Sequence, residues 1–599
     1  MSNEIRLVKL EHYKKEYERC KTNQNEKWVF INKLLNKNIG KTSELPCLEH
    51  KGQKVTNQTA IADIFNNYFA NIGVQLASNL PKSEQCFTSY LQYLDNKSFS
   101  SFNFTLIESI DVLSVVESLN TKKATGYDKI SVKCIKSSKL TIVPILVHII
   151  NLVIKHSEFP DCLKIARVTP LFKKGSTFSV SNYRPISILP VLSKIVEKII
   201  SEQIYSFMEE NQLFSDSQFG FRKGRNTTLA INRLMEELYT NFDNGLLTQG
   251  VFLDFSKAFD TIDHYILIKK LQFYHFSDAS CSLLKSYLHN RKQYVSINNS
   301  CSSFSDIKIG VPQGSILGPL LFLLFINDLA ATSSKLQYIL YADDTNIFSS
   351  ENCIMNDELL KIKNWCIANR LILNQDKTLQ ILFKSNKKEV DPTNLTLNIS
   401  GNYINTVKST QFLGLFIDEN ISFKIHISEL CTKLNLCLLI MRTVRPFLDI
   451  KTMIDIYYTF FYPHIIYGIE FWGHASKADL NRILLLQKSA LRIIMKFKPR
   501  AHISSYFQQL KIMPIDMLFD YRFLILFLKT QDLTSLKPTH QYETRSTHLR
   551  AIKVKNKRGE RSILSLGVKL FNKYLGGVEM GGLSVPWDGL AARVWGAPV

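Results

Sequence analysis

Tyr338-Ile339-Leu340-Tyr341-Ala342-Asp343-Asp344-Thr345-Asn346-Ile347-Phe348 sets apolar, β-branched and aromatic residues on both sides of two adjacent aspartates. This pattern predicts two strands joined by a tight turn with the acidic pair at its tip. Asp-containing hairpin turns are common, so the stretch alone fixes only local structure. A second run, Val251-Phe252-Leu253-Asp254-Phe255-Ser256-Lys257-Ala258-Phe259-Asp260, predicts an apolar strand that delivers Asp254 to its end before the chain turns toward a helix. The 89-residue separation of Asp254 and Asp343 allows two strands of one sheet to carry these carboxylates side by side. Several carboxylates together are what two hard divalent cations about 3.5 to 4 Å apart require, the arrangement used in phosphoryl transfer during nucleotide polymerisation.

Between the two runs lies Gly310-Val311-Pro312-Gln313-Gly314-Ser315-Ile316-Leu317-Gly318-Pro319, ahead of an apolar helical pattern from Leu320 to Leu329. Its glycines permit close backbone approach, and Gln313 offers a donor and an acceptor to a ligand. A loop capping a buried helix explains the same residues equally well.

Further out, short β-like runs alternate with helical patterns from Lys122 to about Phe383, as in an α/β or α+β fold. The first hundred residues read as an accessory region, with a Lys/Glu-rich helix and amphipathic stretches at Trp28–Leu35 and Ile61–Phe69. Helical periodicity dominates after Asp391-Pro392: Leu430, Leu434, Leu438 and Met441 share a face, with Lys433 and Arg442 off it. Further helical patterns cover Leu480–Lys496 and Ile515–Lys529. The last 24 residues hold six glycines, two tryptophans and no lysine, and read as a disordered or foreign tail.

A chain of 599 residues supports several hydrophobic cores. Its formal net charge of +22 points to a polyanionic partner. Eleven cysteines without a Cys-x-x-Cys pair argue against a zinc ribbon or a disulfide framework and for a reducing compartment. The greasiest segments, Leu317–Phe325 and Ile454–Trp472, are cut short or interrupted by polar residues, so no membrane span is expected. No signal peptide is visible, and the expected location is intracellular, nuclear and cytoplasmic.

The ordered Asp-x-x-x-x-Phe, Pro-Gln-Gly and Tyr-Ala-Asp-Asp elements resemble motifs A, B and C of the reverse transcriptase palm. The resemblance implies that Asp254, Asp343 and Asp344 bind two Mg²⁺ ions, with Mn²⁺ as an alternative. It implies that Phe259 excludes a ribose 2′ hydroxyl and that Gln313 and Gly314 border the incoming dNTP. Leu171-Phe172-Lys173-Lys174-Gly175 and Asn182-Tyr183-Arg184-Pro185-Ile186-Ser187 are similar to fingers motifs, which casts Lys173 and Arg184 as triphosphate contacts. Gln218-Phe219-Gly220-Phe221-Arg222-Lys223-Gly224-Arg225 resembles a further fingers motif, with Arg222 and Arg225 toward the template. Asn374-Gln375-Asp376-Lys377-Thr378 is like motif D, where Lys377 would protonate pyrophosphate. Phe412-Leu413-Gly414-Leu415-Phe416 is similar to the hairpin that grips the primer, through Leu413 and Gly414.

The implied fold is an α+β right-hand polymerase, with fingers, a palm built on an antiparallel sheet with flanking helices, then a helical thumb and a C-terminal helical region. Expected boundaries are an N-terminal extension at 1–105, fingers and palm at 106–390, primer grip and thumb at 391–500, a C-terminal helical region at 501–575 and the tail at 576–599. The loop Lys122–Asp128, the Asn-Tyr-Arg-Pro-Ile-Ser and Gln-Phe-Gly-Phe-Arg strings, and Tyr462–Ile494 resemble jockey-like, LINE-type non-LTR retrotransposon proteins. Such proteins usually begin with an apurinic-type endonuclease, for which the first hundred residues are too few, so a partial gene product is expected. An RNA template, a DNA primer or target and dNTPs are the implied partners. Alternatives are an inactive or domesticated RNA-binding remnant and a polymerase of group II intron or retron type.

Overall fold

The computed structural model describes residues 3–20, 47–50, 52–94, 98–350, 354–385, 395–399, 401–531, 554–556 and 558–575, with isolated positions 23, 26, 27, 29, 30, 33, 549, 590, 593 and 594. Most of Trp28–Leu35, the Asp391-Pro392 boundary and most of the 576–599 tail lie outside the described residues.

A five-stranded sheet runs in the order Asn405–Thr406, Leu379–Phe383, Thr248–Leu253, Asp344–Ser349, Gln337–Tyr341. Its inner pairs are antiparallel, and Asn405–Thr406 joins its edge in parallel. Every residue of Thr248–Leu253 is buried, and strand alternation divides its side chains between two cores. Val251 and Leu253 enter one core with Leu340 and Ile347; Phe252 enters the other with Ile339, Phe348, Ile381 and Phe383. Helices Leu317–Ile326, His264–Phe273 and Met355–Ala368 fill the first core, while Thr227–Asp243 and Lys424–Val444 fill the second. The mixed helix and sheet architecture agrees with the expected α+β class.

A second sheet pairs Tyr183–Ile188 with Ala166–Phe172, Ala166–Phe172 in parallel with Arg291–Ile297, and Arg291–Ile297 with Ser305–Ile307. The helix Gln58–Ser78 covers it, burying Ile61, Ala62, Phe65 and Phe69 against Val168, Leu189 and Val295. This amphipathic helix, expected within an accessory region, is therefore part of a sheet's core; without it the sheet would expose an apolar face. Beyond the expected boundary at 390, the first α-helix among the described residues is Lys424–Val444. Short strands come first, among them the hairpin Ser409–Phe412 with Leu415–Asp418. Leu430, Leu434, Leu438 and Met441 are buried on that helix, and Lys433 and Arg442 are exposed.

Among the described residues one helix, Lys139–His156, is long and apolar enough by length and composition to cross a membrane. Its stripe Val143, Leu146, Ile150 and Val153 packs into the first core beside Ser109–Ser118, while Leu140, Ile145, Ile149 and Leu152 are exposed.

Candidate active site

Strand register brings the acidic residues together. Leu253 pairs with Thr345 and Asp344 with Tyr341, so Asp254 follows the end of one strand and Asp344 opens its antiparallel neighbour, with Asp343 in the turn that joins Asp344 to the strand Gln337–Tyr341. Ala342, one residue before, sits at φ 57°. Burial raises the Asp343 carboxyl, and the charge of Asp254 raises it further, against the pull of Arg184 and Lys173. Asp344 is pushed up to about 6, first by desolvation, then by Asp343 and Asp254. Three carboxylates at neighbouring strand ends supply the hard oxygen donors that divalent cations take.

They do not close on one ion position in this conformation: among the described residues no three acidic, His or Cys side chains converge as a finished metal site. Asp254 instead holds a cation of the protein, Lys377, with Nζ 2.9 Å from Oδ2. The loop carrying Lys377 is stitched alongside, with Asn374 N–H donating to the Asp254 carbonyl and Ser256 N–H to that of Ile372, both at 2.8 Å.

A basic wall faces the carboxylates. Lys173 follows the end of strand Ala166–Phe172, and Arg184 lies on the adjoining strand, where it pairs with Leu171. Both are exposed. The ammonium of Lys173 is pushed down by desolvation and then by Arg184 and Lys377, which shows how closely these cations crowd. Lys257, to which the sequence reading gave no role, belongs here too: burial lowers it, Asp260 pulls it back up, and Arg184 and Lys377 lower it.

Gln313 donates from Nε2 to Asp260 Oδ1 at 2.8 Å. Asp260 is raised to about 6 by desolvation, and its Oδ2 is buried without a partner among the described residues. Gly314, at φ 127°, lies so close to strand Tyr183–Ile188 that a Cβ would stand 2.5 Å from the Ser187 carbonyl oxygen. The close approach expected there is thus made to the protein's own backbone, reinforced by Ser187 N–H donating to the Gln313 carbonyl. Glu197 then anchors the helix that follows: its Oε2 accepts from Ile316 N at 2.6 Å and Leu317 N at 3.3 Å. A fully buried carboxylate at a helix start complements the helix dipole, and Arg291 offsets part of its burial. Phe259 stacks on Phe322, with ring centroids 4.5 Å apart, and meets the exposed ring of Phe221 edge-on.

Of the two arginines expected at the template, Arg222 is turned inward. Its Nε and Nη2 pair with Glu209 at 3.1 and 2.9 Å, and its Nη1 donates to the Ser215 carbonyl. The side chain is only 8% exposed, so the expectation of phosphate contact narrows to the half-buried Arg225, which touches Asp216 and the Phe219 ring. Leu413 and Gly414 form the tip of the hairpin, and the Tyr467 hydroxyl donates to the Leu413 carbonyl. Glu197, Lys257 and Asp260 carried no signal in the sequence beyond lying in or near the motifs.

Residues 172–417 match the family described as Reverse transcriptase (RNA-dependent DNA polymerase). Over 465 residues the chain is 29% identical to the probable RNA-directed DNA polymerase from transposon BS of Drosophila melanogaster, covering 70% of this chain and 50% of that protein. It is 28% identical over 420 residues to the RNA-directed DNA polymerase from mobile element jockey of the same species, covering 67% and 45%. The chain thus spans half or less of the length of these relatives. A telomerase structure from Candida albicans overlaps 59% of this chain and 66% of its own at 12% identity and a TM-score of 0.36. Residues 172–417 thus match the reverse transcriptase family, and the chain as a whole is similar to RNA-directed DNA polymerases of jockey-like, non-LTR retrotransposons.

Proposed function

We propose that the chain is an RNA-directed DNA polymerase of a non-LTR retrotransposon, adding dNTPs to a primer 3′ end on an RNA template. The observation that carries this reading is that Asp254 follows the end of one strand and Asp344 opens the adjacent one, with Asp343 in the turn just before it, and that the charges of Lys173 and Arg184 act on both Asp343 and Asp344. The relatives are transposon polymerases of the BS and jockey type, which does not favour an intron or retron element.

In this reading the central sheet is the palm, the sheet containing Lys173 and Arg184 belongs to the fingers, and the Ser409–Asp418 hairpin with helix Lys424–Val444 forms the primer grip and the start of the thumb. The expected division of the chain is kept, with the extension's helix Gln58–Ser78 assigned to the fingers. Asp254, Asp343 and Asp344 would hold two Mg²⁺ ions, which supply activation of the 3′ hydroxyl and charge neutralisation at the phosphates. Lys173 and Arg184 bind the triphosphate through charge-assisted hydrogen bonds. Lys377 stands ready beside Asp254 to donate a proton to the departing pyrophosphate. Gln313 and Gly314 shape the nucleotide's floor, and the exposed ring of Phe221 offers template bases a stacking surface. The working location is within the host cell, where RNA and chromosomal DNA meet.

Purified protein is expected to extend oligo(dT) on poly(rA) with Mg²⁺. Normal binding of that duplex without extension would reject the polymerase reading and leave an RNA-binding remnant. Phe259 gives a second expected result. Its ring is fixed by Phe322 behind it, so Phe259→Val opens space at the sugar and should raise ribonucleotide use relative to dNTP by about tenfold or more. Unchanged sugar selectivity in competition assays would remove the role.

A further inference from the structure

Residues Ser217–Phe219 dock in parallel on the outer edge of the Gln337–Tyr341 strand. Leu340 N–H donates to the Ser217 carbonyl and Phe219 N–H to the Leu340 carbonyl, each at 2.8 Å. The Gln218 side chain, 2% exposed, then reaches the catalytic turn: its Oε1 accepts from Gly220 N at 2.8 Å and from Ala342 N at 3.0 Å. Two N–H donors fix the oxygen at that end of the amide. Its Nε2 is consequently buried with no partner among the described residues, an arrangement a purely stabilising side chain would avoid.

The N–H so held belongs to Ala342, the residue at φ 57° that precedes Asp343 and Asp344. A non-glycine residue there is strained and stays in place only where its surroundings hold it. Gly220 closes the contact: a Cβ at this position would stand 2.3 Å from Ala342 N. Beyond it, Arg222 is tied to Glu209 and Ser215, which fixes the segment to the helix Val191–Glu210. We propose that Gln218 and Gly220 are positioning residues that hold the Tyr341–Asp344 turn from outside, setting Asp343 and Asp344 against Asp254. The proposal rests on the polymerase reading and gives the Gln-Phe-Gly-Phe-Arg segment a task other than template contact.

The test uses the full chain with Gln218→Leu, which removes the acceptor. Hydrogen exchange in the peptide spanning Tyr338–Asn346, measured without metal or nucleotide, should become faster than in wild type. Maximal primer-extension rate should fall about ten- to a hundredfold, since small misplacements of reacting groups have effects of this size. The KM for dNTP and the primer–template Kd should stay within about twofold, because neither surface is altered. Gln218→Glu keeps an acceptor oxygen in place and should restore most of the rate. If Gln218→Leu does not fold, Gly220→Ala is expected to give the same slow rate and fast exchange. The proposal is overturned if Gln218→Leu extends primers at the wild-type rate, if its exchange is unchanged, or if Gln218→Glu is as slow as Gln218→Leu. A wild-type chain that extends no primer rejects the polymerase reading instead, and the exchange measurement still decides the bracing.

Discussion

Asp343→Asn should slow single-turnover dNTP addition on a bound primer–template by a factor on the order of a thousand or more, about 4 kcal/mol of transition-state stabilisation. The substitution preserves shape and keeps one acceptor oxygen, so the hairpin Gln337–Ser349 should fold as before and primer–template affinity should hardly move. What it removes is the charge that balances a metal ion where negative charge develops between attacking and leaving oxygens. A rate within tenfold of wild type in Mg²⁺ would withdraw Asp343 from the ligand set. The same site predicts an effect of opposite sign on stability. The Asp344 carboxyl is raised from 3.8 to about 6, so in metal-free protein its ionised form opposes folding. This penalty is complete above about pH 6, shrinks as pH falls through that value, and is gone below about 4. Water reaches Asp344 and screens part of it. Asp344→Asn in EDTA should therefore raise Tm at pH 8 and leave it unchanged near pH 4; a lower Tm at pH 8 would contradict the crowding of the three carboxylates.

The strands that carry Asp254 and the Asp343-Asp344 tip were legible because strand alternation and a two-residue acidic tip are local patterns, and three ordered motifs limited the ways the chain could bring those strands into one sheet. The register that sets Leu253 opposite Thr345 is not local, and only the structure supplies it. Supporting contacts were harder to foresee for a definite reason: Gln218 holds Ala342 across 124 residues and Glu197 holds Ile316 across 119, and both act on backbone N–H groups that every residue except proline carries. No residue type marks such a target. Arg222 misled in the opposite direction. An arginine among glycines and aromatics reads as a phosphate contact, yet Glu209, 13 residues earlier on the preceding helix, takes its guanidinium fork. The helix Gln58–Ser78 showed its amphipathic face clearly, while the sheet it covers is assembled from strands that begin only at Ala166 and run on to Ile307.

Asn327 and Asp328, the polar residues just after the apolar run Leu317–Phe325, have a larger part in the fold. Asp328 and Lys270 form a fully buried ion pair, with Nζ 2.6 Å from Oδ1. Lys270 also donates to the Phe325 carbonyl at 2.6 Å, and Trp365 Nε1 donates to Asp328 Oδ2 at 3.1 Å. The ammonium lies 5.0 Å from the ring centres of both Phe325 and Trp365. One charge pair thus ties together helices His264–Phe273, Leu317–Ile326 and Met355–Ala368, the layer beneath the catalytic sheet. Burial pushes Lys270 down, and the charge and hydrogen bond of Asp328 pull it back up. Asp328→Ala leaves the ammonium without its counter-charge and the indole without its acceptor, and should destabilise the protein by about 3 to 5 kcal/mol. Removing both charges is a different perturbation: Lys270→Met with Asp328→Leu replaces the pair by apolar groups of similar volume and should lose much less than the two single changes summed. Denaturant unfolding of wild type, Lys270→Met, Asp328→Leu and the double variant, followed by tryptophan fluorescence, measures the coupling. Losses that simply add would mean the pair is incidental to the packing of these helices; a double variant more stable than either single one would show that the cost lies in stranding one charge. In that case the active-site floor depends on the pair being matched, whichever chemistry matches it.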